Sequence, residues 1–361
     1  MTTEPRHPDP MVLRRALVVM PSWIGDTLLA QPLLARIHAR HPGIALDALA
    51  PDWTAPLIER MPEIASVIPS GLGHGDLRLG HRYRLARSIA RADHDAAWVL
   101  PNSFKSALIP WLAGIGLRIG FTGESRLGLI NRRHRLDADL LPLMAERYAQ
   151  LAEMPGTPLE RPLPTTRLRV DTATRQAALT RLGLSSERAV VAICPGAEYG
   201  PAKRWPPEHF GALASRLVAQ GAQVWIFGSA RDQPIAQAVI AATDPARRAS
   251  LLDLCGHTRL GEAIDLMSLA SVVVANDSGL MHVAAALRRP LVALYGSSSP
   301  QHTPPLDAQA HLIWHAIECS PCYARTCAPG HFRCMREITV DEVERSLGAR
   351  HHRMAGPSHQ D

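Results

Sequence analysis

An α/β protein made of two successive parallel-sheet units is the fold class this sequence predicts, on three observations. Short apolar runs of buried-strand type alternate with helix-period segments along most of the chain. Each run ends in a turn rich in Gly, Ser, Thr or Asn, and the pattern starts afresh after a Pro-rich stretch, MPGTPLERPLPTT. At 361 residues there is length for two domains of ~100–200 residues each. The expected division is a polar leader at 1–12, domains at 13–165 and 166–345, and a disordered tail at 346–361. With 46% hydrophobic and 20% charged residues the chain is globular. The net charge of +6 is spread over both halves without a dense basic, aromatic-laced run, which disfavours nucleic acid and suits an anionic ligand or surface. The start, MTTEPRHPDPMVLRR, has no signal-peptide core, and the longest apolar stretch, 106–117, is short of the ~20 residues that span a bilayer. A cytoplasmic protein without a transmembrane segment is expected.

In the first half, strands are expected at 16–20, 44–50, 65–69, 96–100 and 117–121. The first leads through PSWIGD into a helix whose apolar positions Leu28, Leu29, Leu33, Leu34 and Ile37 recur at helical spacing. Asp26 stands at that helix start, where it either caps the helix or serves as a base, because open α/β sheets bind ligands at the carboxyl ends of their strands. Only two of the 39 basic residues are lysines, Lys105 and Lys203, which suggests sites where a compact ammonium is wanted. Lys105 follows the fourth strand. The segment LRLGHRYRLARSIARAD reads as a helix with a solvated basic face. Arg118 and Arg126, with Arg132, Arg133 and Arg135, crowd a Gly-punctuated loop that either holds an anionic partner or is simply solvated.

In the second half, strands are expected at 190–194, 224–227, 250–254, 272–274 and 291–295, with helices between them. Lys203 lies in the Pro/Gly turn after the first, and Ser229 in the GSARDQ turn after the second. VVVANDSGLMHVAAAL is a strand, a turn and a helix, with Ser278 at the N-cap. The unpaired first N–H groups of that helix suit a phosphate; Gly279 removes a side chain where the anion would approach, and Asp277 and His282 lie beside it. Cys319, Cys322, Cys327 and Cys334 form a thiol cluster that suggests structural zinc or an iron–sulfur cluster in a reducing compartment. Asp277 could alternatively approach magnesium.

Four segments in this order, PSWIGDTLLAQPLL (21–34), KRWP (203–206), FGS (227–229) and NDSGLMHVAAAL (276–287), make the chain resemble the ADP-heptose:lipopolysaccharide heptosyltransferases of glycosyltransferase family nine over about residues 15–340. The resemblance implies a GT-B fold, two Rossmann-like domains facing across a cleft, the first binding acceptor and the second ADP-heptose. It implies inverting transfer of L-glycero-D-manno-heptose to the lipopolysaccharide inner core, with heptosyl-Kdo2-lipid A the expected acceptor, at the inner face of the cytoplasmic membrane. By that likeness Asp26 is the general base; Lys203, Ser229, Asp277, Ser278, Gly279 and His282 hold the donor; and Lys105, Arg118 and Arg126 are acceptor contacts. No cofactor is implied for catalysis. The residue holding the ribose is left open, Asp232 being near but displaced. The alternatives are a relative that adds the first or a later heptose, and a GT-B sugar-nucleotide epimerase.

Overall fold

The structure, a computed structural model, describes residues 12–73 and 75–354, with side chains up to residue 347. The first half contains β1 (Arg15–Val19), α1 (Ile24–Leu29), α2 (Gln31–Arg40), β2 (Ala45–Ala50), α3 (Ala55–Ile58), β3 (Ser66–Pro69), α4 (Leu79–Ile89), β4 (Ala96–Val99), α5 (Phe104–Leu112), β5 (Leu117–Phe121), β6 (Arg132–His134) and α6 (Met144–Gln150). The second contains α7 (Thr172–Leu182), β7 (Val190–Cys194), α8 (Pro207–Ala219), β8 (Gln223–Ile226), α9 (Gln233–Ala242), β9 (Leu251–Asp253), α10 (Leu260–Met267), β10 (Val272–Asn276), α11 (Gly279–Ala286), β11 (Leu291–Tyr295), β12 (His311–Trp314), α12 (Arg333–Arg336) and α13 (Val340–Met354).

Two six-stranded parallel sheets result, ordered β3-β2-β1-β4-β5-β6 and β12-β11-β10-β7-β8-β9. The central strands are apolar on both faces because helices cover both sides, so ALVV, VVAIC and LVALY are uniformly buried. The order reverses beside β1 in the first sheet and beside β7 and β10 in the second. Ligands gather at such switch points, outside the strands' carboxyl ends.

Two edge strands escaped the sequence reading. β6, Arg-Arg-His, and β12, His-Leu-Ile-Trp, each pair on one side only, so neither carries the continuous apolar run of a central strand. The tail expected at 346–361 is corrected over its first part, since α13 continues to Met354 with Asp341 and Glu342 in its first turn, at the positive end of its dipole. Residues 355–361, and residues 1–11 of the expected leader, lie outside the described residues.

The lobes meet along an apolar seam. Leu28 and Leu29 of α1 and Met281 and Val283 of α11 belong to one continuous buried cluster. At its flank the Arg60 guanidinium crosses to the fully buried Asp265 at 2.6 Å and to Asp171 at 3.4 Å. The approach of α1 to α11 is set by two glycines. A β-carbon on Gly279 would lie 2.8 Å from Ile24 Cβ, and one on Gly25 would lie 3.0 Å from His282 Cδ2.

Candidate active site

Asp26 sits in the first turn of α1, whose N-cap position is taken by Trp23 without any side-chain cap hydrogen bond. The capping reading therefore fails, and the carboxylate is left for other work. Burial pushes its carboxyl above the ordinary aspartate range; His302 and Lys203 pull it back electrostatically, and Asp277 adds to the rise. The close approach of α1 to α11, Ile24 against Gly279 and Gly25 against His282, brings this turn of the first lobe up to a charged constellation of the second.

In that constellation Lys203 Nζ donates to Asp277 Oδ2 at 2.6 Å and lies 5.2 Å from the Tyr199 ring centroid. Ser298 Oγ donates to the same carboxylate oxygen at 2.5 Å. The turn is locked from beneath by buried Asn276, which accepts from Trp205 N at 3.0 Å and donates to the Pro195 carbonyl at 2.8 Å. This bridge ties the KRWP segment to the NDSG turn and explains why the two occur together. Ser278 occupies the N-cap of α11 in extended backbone with no side-chain cap bond; the Met281 N–H donates to the Ser278 carbonyl at 3.2 Å, and the N–H groups of Gly279 and Leu280 at the helix start suit an anion. His282 is buried, and burial lowers its ring pKa to about 4, so it is neutral at pH 7.

Ser229 donates through both its N–H and its hydroxyl to Asp232 Oδ2, at 2.8 Å each. Asp232 folds back over Gly196 at the end of β7, where a β-carbon would come within 2.3 Å of Oδ1. Gly279 has a different role from the expected one. The space its missing side chain leaves is filled by Ile24 of the other lobe, so it admits a neighbouring helix.

Comparison with known proteins bears on the family and the fold. The profile described as glycosyltransferase family 9 (heptosyltransferase) matches residues 82–332. The chain is 44% identical over 338 residues to lipopolysaccharide heptosyltransferase 2 of Salmonella typhimurium, covering 92% of this chain and 97% of that relative. The counterpart of Escherichia coli K12 is also 44% identical, with 93% and 98% covered. This chain belongs to glycosyltransferase family 9. The solved structure of Escherichia coli ADP-heptose lps heptosyltransferase II superposes with a TM-score of 0.85 at 41% identity, covering 94% of this chain and 99% of that one. The two sheets are thus the halves of a GT-B glycosyltransferase.

The acceptor-side expectations for this family 9 enzyme divide. Lys105, in the first turn of α5, lines a cavity of about 680 Å3 together with Asp26, Trp23, Leu77, Asn102 and Glu124. Arg118 and Arg126 do not join it. Arg126 is 2% exposed and spends its guanidinium on the carbonyls of Pro101 and Phe121 and on Asn102 Oδ1. Arg118 donates to the carbonyls of Ile115, Leu129, Gly128 and Gly116. Both brace the loop after β5, because carbonyls that no strand or helix satisfies need donors. Buried Arg82, which the sequence did not single out, does the same for the carbonyls of Asp76, Leu77 and Lys105, and so shapes the cavity wall. Ser298 and His302 were also missed; their only signal was the Ser-rich turn ending β11.

Cys319, Cys322 and Cys327 lie close enough to Cys334 to help burial raise its thiol pKa to about 11. Among the described residues no group of three or more His, Cys, Asp or Glu side chains stands in an arrangement that could hold a metal ion. Asp277, the residue of the magnesium alternative, accepts through Oδ2 from both Lys203 and Ser298.

Proposed function

We propose that this enzyme moves L-glycero-D-manno-heptose from ADP-heptose to heptosyl-Kdo2-lipid A, with inversion, working at the inner surface of the cytoplasmic membrane. The observation that carries the mechanism is the opposition of Asp26 to the Lys203–Asp277–Ser298 group and the open start of α11, across one seam. An inverting transfer needs a base on the acceptor side of the anomeric carbon and stabilisation of the leaving diphosphate on the other. Asp26 takes the proton of the attacking acceptor hydroxyl. Lys203 and the first N–H groups of α11 receive the charge that gathers on ADP, with Asp277 and Ser298 fixing the ammonium. Lys105 stands in the acceptor cavity, where it suits a sugar carboxylate or phosphate.

The assay is heptosyl transfer from ADP-heptose to a panel of defined core acceptors, read by mass spectrometry. A single added heptose on heptosyl-Kdo2-lipid A is expected; product from unheptosylated Kdo2-lipid A alone would reassign the step. Asp26→Asn should cut transfer by about 10²–10⁴-fold while leaving ADP-heptose affinity near wild type. Undiminished turnover would remove Asp26 from its role.

A further inference from the structure

Exposed large apolar side chains are distributed unevenly over the two lobes. Of the fifteen among the described residues, twelve lie between Val12 and Met154 and three in the donor lobe. Several gather around α4 and α5, which pack together at the mouth of the acceptor cavity. On α4, Leu79 (57% exposed) and Tyr83 (53%) are one turn apart and exposed, flanking the stripe of buried Arg82, Ala86 and Ile89. On α5, Phe104 and Trp111 (47% exposed) share a face two turns apart. The Arg82 guanidinium bonds the carbonyls of Leu77 and Lys105 together, so the start of α4 and the start of α5 form one rim. Leu77, Phe104 and Lys105 on that rim also line the cavity.

The charge of the same segment has one sign. Between Asp76 and Asp93 there is no acidic residue, and the exposed Arg84, Arg87 and Arg91 have no ion-pair partner among the described residues. A helix with aromatic and aliphatic side chains beside unpaired arginines is the pattern that lies in a lipid–water interface, where the apolar groups enter the acyl boundary and the cations meet anionic headgroups. We propose that the α4–α5 rim is the surface by which this enzyme docks on an anionic bilayer, holding the acceptor cavity at the headgroup level. This rests on the reading above that the acceptor is lipid-anchored. It goes beyond it by naming the face and the chemistry of contact.

The test is co-sedimentation of the full chain with phosphatidylglycerol–phosphatidylethanolamine vesicles and with phosphatidylcholine vesicles. It is paired with transfer to a deacylated, water-soluble heptosyl-Kdo acceptor. Wild type should partition to the anionic vesicles and less to the neutral ones. Tyr83→Glu with Trp111→Glu should lower partition at least tenfold. Arg84→Gln, Arg87→Gln and Arg91→Gln together should lower it on the order of a hundredfold at low salt, at about fivefold per arginine. Both variants should keep wild-type turnover of the soluble acceptor, which also reports that they fold. Wild-type partition by both variants, or no vesicle binding by the wild type, overturns the proposal; so does a dimer of wild type that the glutamate pair dissociates, which would assign the face to a second copy. Absence of transfer to the soluble acceptor by wild type, with vesicle binding intact, would instead strike the proposed function and leave the docking face standing.

Discussion

Replacing Gly279 by Ala tests whether the seam between α1 and α11 sets the catalytic geometry. The added β-carbon would sit 2.8 Å from Ile24 Cβ and 2.9 Å from Ile24 Cγ2, against about 3.5–4.0 Å for comfortable carbon contacts. The helices must then part by roughly 0.5–1 Å, because these are a backbone-attached carbon and a β-branched side chain with few alternative rotamers. Overpacking of this kind costs about 1–3 kcal/mol. At about 2 °C per kcal/mol for a chain this long, the melting temperature should fall by about 2–6 °C. Ile24 is two residues from Asp26, so the base moves with it, and a displacement near 1 Å lowers kcat by up to about a hundredfold. Gly261→Ala is the matched control. It lies on α10 at another inter-lobe contact, where a β-carbon would meet Arg60 at 3.6 Å and Pro56 at 3.8 Å, so stability should hold or rise by about 0.5–1 kcal/mol. Thermal unfolding and steady-state transfer kinetics of both variants decide the matter. Wild-type kcat and melting temperature in Gly279→Ala would refute the claim that this contact positions the base.

Lys203→Met strips the cation from Asp277, whose side chain is 5% exposed, and should cost about 3–5 kcal/mol in chemical denaturation as well as weakening ADP affinity. Adding Asp277→Asn should restore much of the stability but not the transfer; stability lost equally in the double variant would argue against an uncompensated buried charge. Burial lowers the ring pKa of both His134 and His282 to about 4. An unfolded chain takes up these protons at about pH 6.5, so stability is full above that pH and is lost as pH falls toward 4, by at most about 3 kcal/mol per ring. Denaturation midpoints measured from about pH 7.5 to 4.5 should show this slope, and His134→Gln should flatten it; an unaltered slope in the variant would exclude His134 as a contributor.

The central strands were legible because burial on both faces writes itself as an uninterrupted apolar run; residues 190–194 and 291–295 fall where the sequence puts them. The edge strand Arg132–His134 carries no such mark and passed for part of a basic loop. In the site, residues brought together by a strand-turn-helix unit could be read locally, as with Asp26, Lys203 and Asp277. What could not be read were the roles settled by distant partners. Arg118 and Arg126 looked available to a ligand because sequence does not show which carbonyls a loop leaves unsatisfied. Gly279 looked like room for an anion because the side chain that fills the gap, Ile24, stands in the other lobe.

The shared packing of α1 and α11 makes proton acceptor and nucleotide cradle parts of one mechanical element. On the proposed roles, any parting of α1 from α11 would also carry Asp26 away from Lys203 and Asp277, so a handful of carbon–carbon contacts around two glycines would set whether base and nucleotide site work together.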